Sequence, residues 1–294
     1  MANRCGTLAI VGRPNVGKST LLNRLLGQKL AITSHKAQTT RHAILGIKTR
    51  AEGQLLFVDT PGLHQRGDGA LNRYLNRAAR SALAEVDAIV FVVEALKFNA
   101  EDQLALTAVA ETGVPILAAV NKVDLVEDKS ALLPYLETLA THHHFAALIP
   151  ISARRGEQLD TLETHALALL PEGDNLFPED QLTDRSARFL AAELLREQLV
   201  QRYGDELPYR TSVSIESFQE QDGCYRIGAL IWVERDSQKG IIIGQGGGAL
   251  KATASQARQE MQKLFGCAVH LTVWVKVKQG WSSNATVLAS LGYD

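Results

Sequence analysis

Apolar and polar positions follow two different rhythms along this chain. In the first 170 residues, short aliphatic runs recur: TLAIVG (7–12), QLLFVDT (54–60), AIVFVVEA (88–95), PILAAVNK (115–122) and ALIPISA (147–153). They are rich in β-branched residues and lack polar alternation, which predicts strands buried on both faces of a parallel sheet. Helical patterns fill most of the gaps, as at 18–26 and 69–83. That rhythm predicts an α/β domain, a mostly parallel sheet with helices on both faces. Its ligands bind where the strands end.

The rhythm changes after PEGDNLFPEDQLT (171–183), a stretch rich in proline and acid that predicts a linker. A helical pattern follows, RSARFLAAELLREQLV, with Thr183 or Asp184 as its cap and its end near Tyr203 and Gly204. Two alternating runs, 210–218 and 225–234, flank a loop containing Asp222 and Gly223 and predict a β-hairpin. GIII (240–243) is expected to be a strand leading into a glycine turn. A helix from Gly248 to about Phe265 and a strand over AVHLTVWVKVK come next. The organisation is therefore a domain over 1–170, a linker over 171–183 and a smaller α+β domain over 184–294.

Composition narrows the field. A chain of 294 residues suits two domains, and its formal charge of −1 excludes a uniformly basic coat, so any nucleic-acid contact must be a local patch. Cys5, Cys224 and Cys267 are too few and scattered for a disulfide framework, which predicts reduced thiols in a cytoplasmic protein. No apolar run reaches the ~20 residues that span a bilayer, leaving only peripheral membrane contact open. The tract His142–His144 is not a metal site, because successive helical side chains point about 100° apart.

The candidate chemistry sits at the predicted strand ends. GRPNVGKST (12–20) has the G-x-x-x-x-G-K-[ST] spacing between a strand and a helix. Gly12 and Gly17 let the backbone turn its N–H groups onto phosphates, with Arg13, Pro14, Asn15, Val16 and Thr20 completing the loop. Lys18 reaches the β and γ oxygens, and Ser19 offers a hydroxyl to Mg²⁺. In DTPG, Asp59 is placed to hold Mg²⁺ through water. Thr60 and Pro61 bring the Gly62 N–H toward the γ-phosphate. In NKVD, Asp124 accepts from guanine N1–H and the 2-amino group, a donor pair adenine lacks. Asn121 and Lys122 brace the loop and cover the base, and Ser152, Ala153 and Arg154 present a backbone N–H to guanine O6. Together these predict GTP as ligand. The polar stretch 34–42 is the natural first switch, where a threonine meets Mg²⁺ only when γ-phosphate is present.

GRPNVGKST, QTTRH, DTPGLH and NKVD, in this order and followed by a small C-terminal domain, resemble the Era family, the ribosome-assembly GTPases of bacteria. The likeness extends through FPEDQLTDRSARF and VHLTVWVKVKQGW. It implies Thr40 as the switch threonine, with Lys18, Thr40 and Gly62 as the catalytic set and Ser19, Thr40 and Asp59 as the Mg²⁺ set. It also implies Asn15 as a candidate K⁺ ligand. Leu63 stands where many small GTPases have a water-orienting glutamine, which predicts slow intrinsic turnover, of the order of 10⁻⁴–10⁻² s⁻¹.

A second glycine turn, Ile243, Gly244, Gln245, Gly246 and Gly247, has no following Lys-Ser and so is not a second nucleotide loop. A G-x-x-G turn entering a helix is the signature of the KH fold, which grips single-stranded RNA. Seven basic residues against two acidic ones between 235 and 278 supply a local excess of five. Lys251, Arg258, Lys276 and Lys278 are the expected RNA contacts, and Trp274 is either a stacking platform or core. By resemblance the domain is a type II KH domain, the RNA is the 3′ end of small-subunit 16S rRNA and the setting is 30S maturation; the chain is expected to be a monomer. Two rivals are a tRNA-modification-type GTPase and an RNA-binding scaffold with a decayed nucleotide site. The first lacks a C-terminal G-x-x-G domain, and the intact Lys18, Ser19, Asp59 and Asp124 oppose the second.

Overall fold

A computed structural model describes residues 3–33, 41–59, 74, 83–204, 207–282, 284 and 288. The chain forms two compact units, with the main boundary between Asp184 and Arg185.

The first unit is built on a six-stranded sheet in the order β2-β3-β1-β4-β5-β6. The strands are β1 (Arg4–Val11), β2 (Ile44–Arg50), β3 (Gly53–Asp59), β4 (Ala88–Glu94), β5 (Ile116–Asn121) and β6 (Ala147–Pro150). All pair in parallel except β2, which runs antiparallel to β3 at one edge. The predicted parallel strands are present, and β4 and β5 are buried on both faces, as an unbroken apolar run requires. The pattern did not mark β2. Its ILGIKTR sequence buries only Ile44, Gly46 and Ile47, the partial burial of a strand with one neighbour.

Helices α1 (Lys18–Leu26), α2 (Ala100–Ala110), α3 (Leu132–Ala140) and α4 (Leu159–Ala168) belong to this unit. Leu21, Leu22 and Leu25 of α1 are almost wholly buried, and each contributes about 1.5–3 kcal/mol. α2 starts at a reciprocal cap: Asn99 accepts from the Asp102 N–H, and Asp102 accepts from the Asn99 N–H. The predicted helix over 69–83 falls largely outside the described residues.

The stretch after Pro171 lies against this unit. Ile47 N–H donates to the Leu182 carbonyl, and the Gln54 side-chain oxygen accepts from the N–H groups of Leu176 and Phe177. Thr183 is therefore engaged in a bridge to Gly46 and does not cap the next helix. Ser186 does, accepting from Phe189 N–H at 3.3 Å.

The second unit holds α5 (Ala187–Arg202), β7 (Thr211–Gln221), β8 (Cys224–Val233), α6 (Asp236–Ile243), α7 (Gly248–Phe265) and β9 (Ala268–Val277). β7 and β8 form the predicted hairpin, bulged between Ile215 and Ser217, and β9 pairs parallel to β8. Leu195, Leu199, Ala257 and Met261 pack with Ile227, Ala229, Ile231 and Val275 in one core. Residues 241–243 correct the expected strand: they are the last turn of α6. Gln238 Oε1 accepts the Glu234 and Arg235 N–H groups and starts the helix. Of the three isoleucines only Ile242 is fully buried, so a two-faced strand had no partner here. Thr33, which groups with this unit, donates through N and Oγ1 to Glu197 Oε1 at 3.0 and 3.1 Å.

Candidate nucleotide site and RNA-binding turn

The parallel register aligns the strand ends. Ile10 stands opposite Asp59, Val11 opposite Phe91, and Glu94 opposite Asn121. Every described nucleotide-site residue emerges from this one edge. Gly12 and Gly17 are required there for different reasons. A Cβ on Gly12 would lie 2.3 Å from the Val92 carbonyl oxygen, and one on Gly17 would lie 2.4 Å from Asn121 Nδ2. Both have positive φ, as does Asn15 at 67°.

Asn121 joins three loops. Its Nδ2 donates to Val16 O at 2.8 Å, and its Oδ1 accepts from Ala153 N–H at 2.9 Å. At 2% exposure it makes both bonds away from water. Ser152 Oγ donates to Asp124 Oδ1 at 2.7 Å and so aims the carboxylate expected to read the base. Arg154 is exposed at the same turn.

Lys18 Nζ donates to the carbonyls of Gly12 and Arg13, both at 2.8 Å. Burial pushes its ammonium down to about 8, only partly offset by the nearby Asp59 carboxylate. Ser19 Oγ donates to Asp59 Oδ2 at 3.0 Å. Two hard oxygen donors thus meet beside the phosphate loop, a set that suits Mg²⁺ shared with phosphates. Pro14 O accepts from Arg13 at 3.4 Å, and Thr20 lies in the first turn of α1. Thr40, Thr60, Pro61, Gly62 and Leu63 lie outside the described residues.

Sequence reasoning missed two acids here. Glu94 accepts from Arg13 and Lys122, and Asp102 accepts from Arg13 Nε at 2.9 Å. The available signal was an acid closing the otherwise apolar AIVFVV strand. Burial pushes the Asp102 carboxyl up, against hydrogen bonds from Asn99 and Arg13.

In the second unit the G-x-x-G turn lies between α6 and α7 rather than between a strand and a helix. Gly244 has φ 70°, and a Cβ on it would stand 2.6 Å from Ala249 Cβ, so glycine lets the turn close onto α7. Gly246 and Gly247, at φ 57° and 79°, face open space. Gln245 is exposed, and Ile243 is half-buried against the core. Lys251 and Arg258 are seven apart on α7 and share a face with the turn's exit. Lys276 is set apart. Val273, Val275 and Val277 point into the helix-side core, so the pleat turns Trp274 and Lys276 to the opposite face. Trp274 is half exposed there rather than core, and Lys278 lies over the Trp232 ring at 5.3 Å.

Residues 7–122 match the family described as 50S ribosome-binding GTPase, and residues 206–282 match the KH domain family. GTPase Era of Ectopseudomonas mendocina is 56% identical over 291 residues, covering 99% of this chain and 97% of that protein. GTPase Era of Xylella fastidiosa strain M12 is 52% identical over 291 residues, covering 99% and 98%. An Aquifex aeolicus Era variant bound to GDP·AlF4⁻ superposes with a TM-score of 0.94 at 36% identity, covering 99% of both chains. Era in complex with MgGDPNP and nucleotides 1506–1542 of 16S ribosomal RNA gives the same TM-score at 37% identity and the same coverage. Likeness of this extent, in sequence and fold along the whole length, means that the chain belongs to the Era family of GTPases, which hydrolyse GTP and carry a KH domain behind the GTPase domain.

Proposed function

We propose that this GTPase binds GTP with Mg²⁺ at the β-sheet edge and grips the 3′ end of small-subunit rRNA at Gly244–Gly247, assisting 30S maturation. Lys18 holds the β and γ oxygens, Asp124 reads guanine, and Ser19 and Thr40 would hold the metal directly, with Asp59 holding it through water. Bound Mg²⁺ supplies charge neutralisation on the phosphates. Water attacks the γ-phosphorus, the bond to the β–γ bridging oxygen breaks, and GDP and phosphate leave. With leucine at 63, turnover rests on electrostatics from Lys18 and the loop N–H groups, and stays slow without an activator. Asn15, exposed at the loop crest, is the proposed K⁺ contact, and equal rates in potassium and sodium would remove it.

One observation carries the RNA reading: a glycine turn between two helices, with open space at Gly246 and Gly247 and cations of α7 beside it. The solved Era complex with nucleotides 1506–1542 of 16S rRNA supports the choice of RNA. Thr33 borders the first switch and is bonded to Glu197 within the second unit, which supports a nucleotide-dependent change in RNA affinity. We place the protein in the cytoplasm as a monomer, with membrane contact only peripheral. The test is filter binding of a 3′-terminal 16S oligoribonucleotide. Gly246→Asp puts a negative charge against the phosphates at a φ that Asp tolerates. It is expected to lose RNA while keeping GTP hydrolysis. Unchanged retention by the folded variant defeats the reading.

A further inference from the structure

Strand β4 is apolar until its last residue, Glu94, whose side chain is 13% exposed. Its Oε2 accepts from Lys122 Nζ at 2.8 Å and from Arg13 Nη2 at 3.2 Å, and its Oε1 accepts from Lys97 Nζ at 2.6 Å. Arg13 belongs to the phosphate loop and Lys122 to the base loop. A single carboxylate oxygen therefore holds one cation from each. Arg13 is gripped on its other side by the buried Asp102, and its own carbonyl accepts from Lys18. The chain of contacts Lys122, Glu94, Arg13, Lys18 links the base end of the site to the phosphate end.

We propose that Glu94 is a positioning residue for the guanine nucleotide, fixing the spacing between the phosphate loop and the base loop. Lys122 has φ 68°, a left-handed conformation that a non-glycine residue keeps only when its surroundings enforce it. Its long side chain is also costly to order, and Glu94 orders it before a base arrives. Partial burial would push the Glu94 carboxyl up, but hydrogen bonds from Lys122 and Lys97 outweigh this and hold it at about 2. The anchor therefore stays charged at neutral pH. Lys97 helps keep the carboxyl charged, but it belongs to neither loop, and at 67% exposure solvent screens its pairing with Glu94.

The experiment compares Glu94→Gln with Lys97→Ala in the full-length protein. Labelled GDP and a non-hydrolysable GTP analogue report Kd, and steady-state hydrolysis reports kcat and KM. Glu94→Gln is expected to raise both Kd values and KM about tenfold, because hydrogen bonds to charged groups are lost. Its kcat should stay within about twofold, since Glu94 touches no reacting atom. Lys97→Ala should match the parent. In a Lys122→Ala background the same Glu94 change should cost only about threefold, the non-additivity expected of residues in one network.

The proposal is overturned by a folded Glu94→Gln with the parent's Kd values, by a loss confined to kcat, or by full additivity with Lys122→Ala. Should Glu94→Gln not fold, Glu94→Asp decides. It is too short to reach both cations, so a folded Asp variant with the parent's affinity also overturns the proposal. Lys18→Ala serves as the reference: if it abolishes binding while the Glu94 variants do not, the nucleotide site stands and only the anchor falls.

Discussion

Raising the pH from 7 to 9 should weaken nucleotide binding through one buried side chain, Lys18. Its ammonium lies at about 8 in the folded protein, below the ordinary 10.5, because burial disfavours the charge. Phosphate oxygens demand the charged form, so the bound complex keeps the proton across this range. With a value near 8, about nine-tenths of the free protein is protonated at pH 7 and about one-tenth at pH 9. Apparent affinity scales with that competent fraction, so Kd should rise about tenfold, or about 1.4 kcal/mol. Stability of the free protein moves the other way. Between about 8 and 10.5 the unfolded chain binds the Lys18 proton more tightly than the folded one, so this group's contribution to stability rises with pH. The assay is labelled-GDP titration at half-unit pH steps, beside the Lys18→Arg variant, whose guanidinium does not titrate. Whatever the nucleotide loses at the alkaline end is common to both proteins. A Kd ratio of parent to variant that stays flat from pH 7 to 9 refutes the reasoning.

Three further outcomes follow from the geometry. Asn121→Ala removes two buried hydrogen bonds and should cost about 2–4 kcal/mol. The melting temperature of the first unit should fall by about 4–16 °C, and an unchanged calorimetric transition would contradict the three-loop junction. Ser152→Ala should raise the Kd for GDP about fivefold by freeing the Asp124 carboxylate to rotate, and equal affinity in a displacement titration would show that the 2.7 Å bond does not orient it. Gly244→Ala should destabilise the second unit by about 1–3 kcal/mol through the Ala249 contact, while Gly246→Ala costs only about 1 kcal/mol for its backbone conformation. Urea unfolding followed by tryptophan fluorescence separates them, since Trp232, Trp274 and Trp281 all lie in the second unit; equal midpoints would oppose the argument.

The sequence displayed the nucleotide site well because each part of it follows an apolar strand of the parallel sheet, most of them buried on both faces. Such strands are unbroken apolar runs, so GRPNVGKST, DTPG, NKVD and SAR stand out as the polar residues where the runs stop. What stayed hidden depends on contacts distant in sequence. Glu94 and Asp102 lie 81 and 89 residues from Arg13, and no local pattern pairs them. β2 pairs with one strand only, β3, and its sequence is not fully apolar. Residues 241–243 carry a strand-forming composition, yet the Gln238 cap and the turn at Gly244 set them as helix. Nearness in sequence places Lys276 and Trp274 with the glycine turn. The alternation of β9 decides their face, and that alternation is fixed only when Val273 and Val275 enter the core.

The closeness of Gly244 to Ala249 has a kinetic corollary. A turn already seated on the helix that follows it has little of its own to rearrange when a strand arrives. The waiting step then lies with the RNA, which must shed base pairs and stacking before it can enter. Capture should accordingly be fast and tight for an unpaired tail, and slower and weaker for the same nucleotides held in a hairpin.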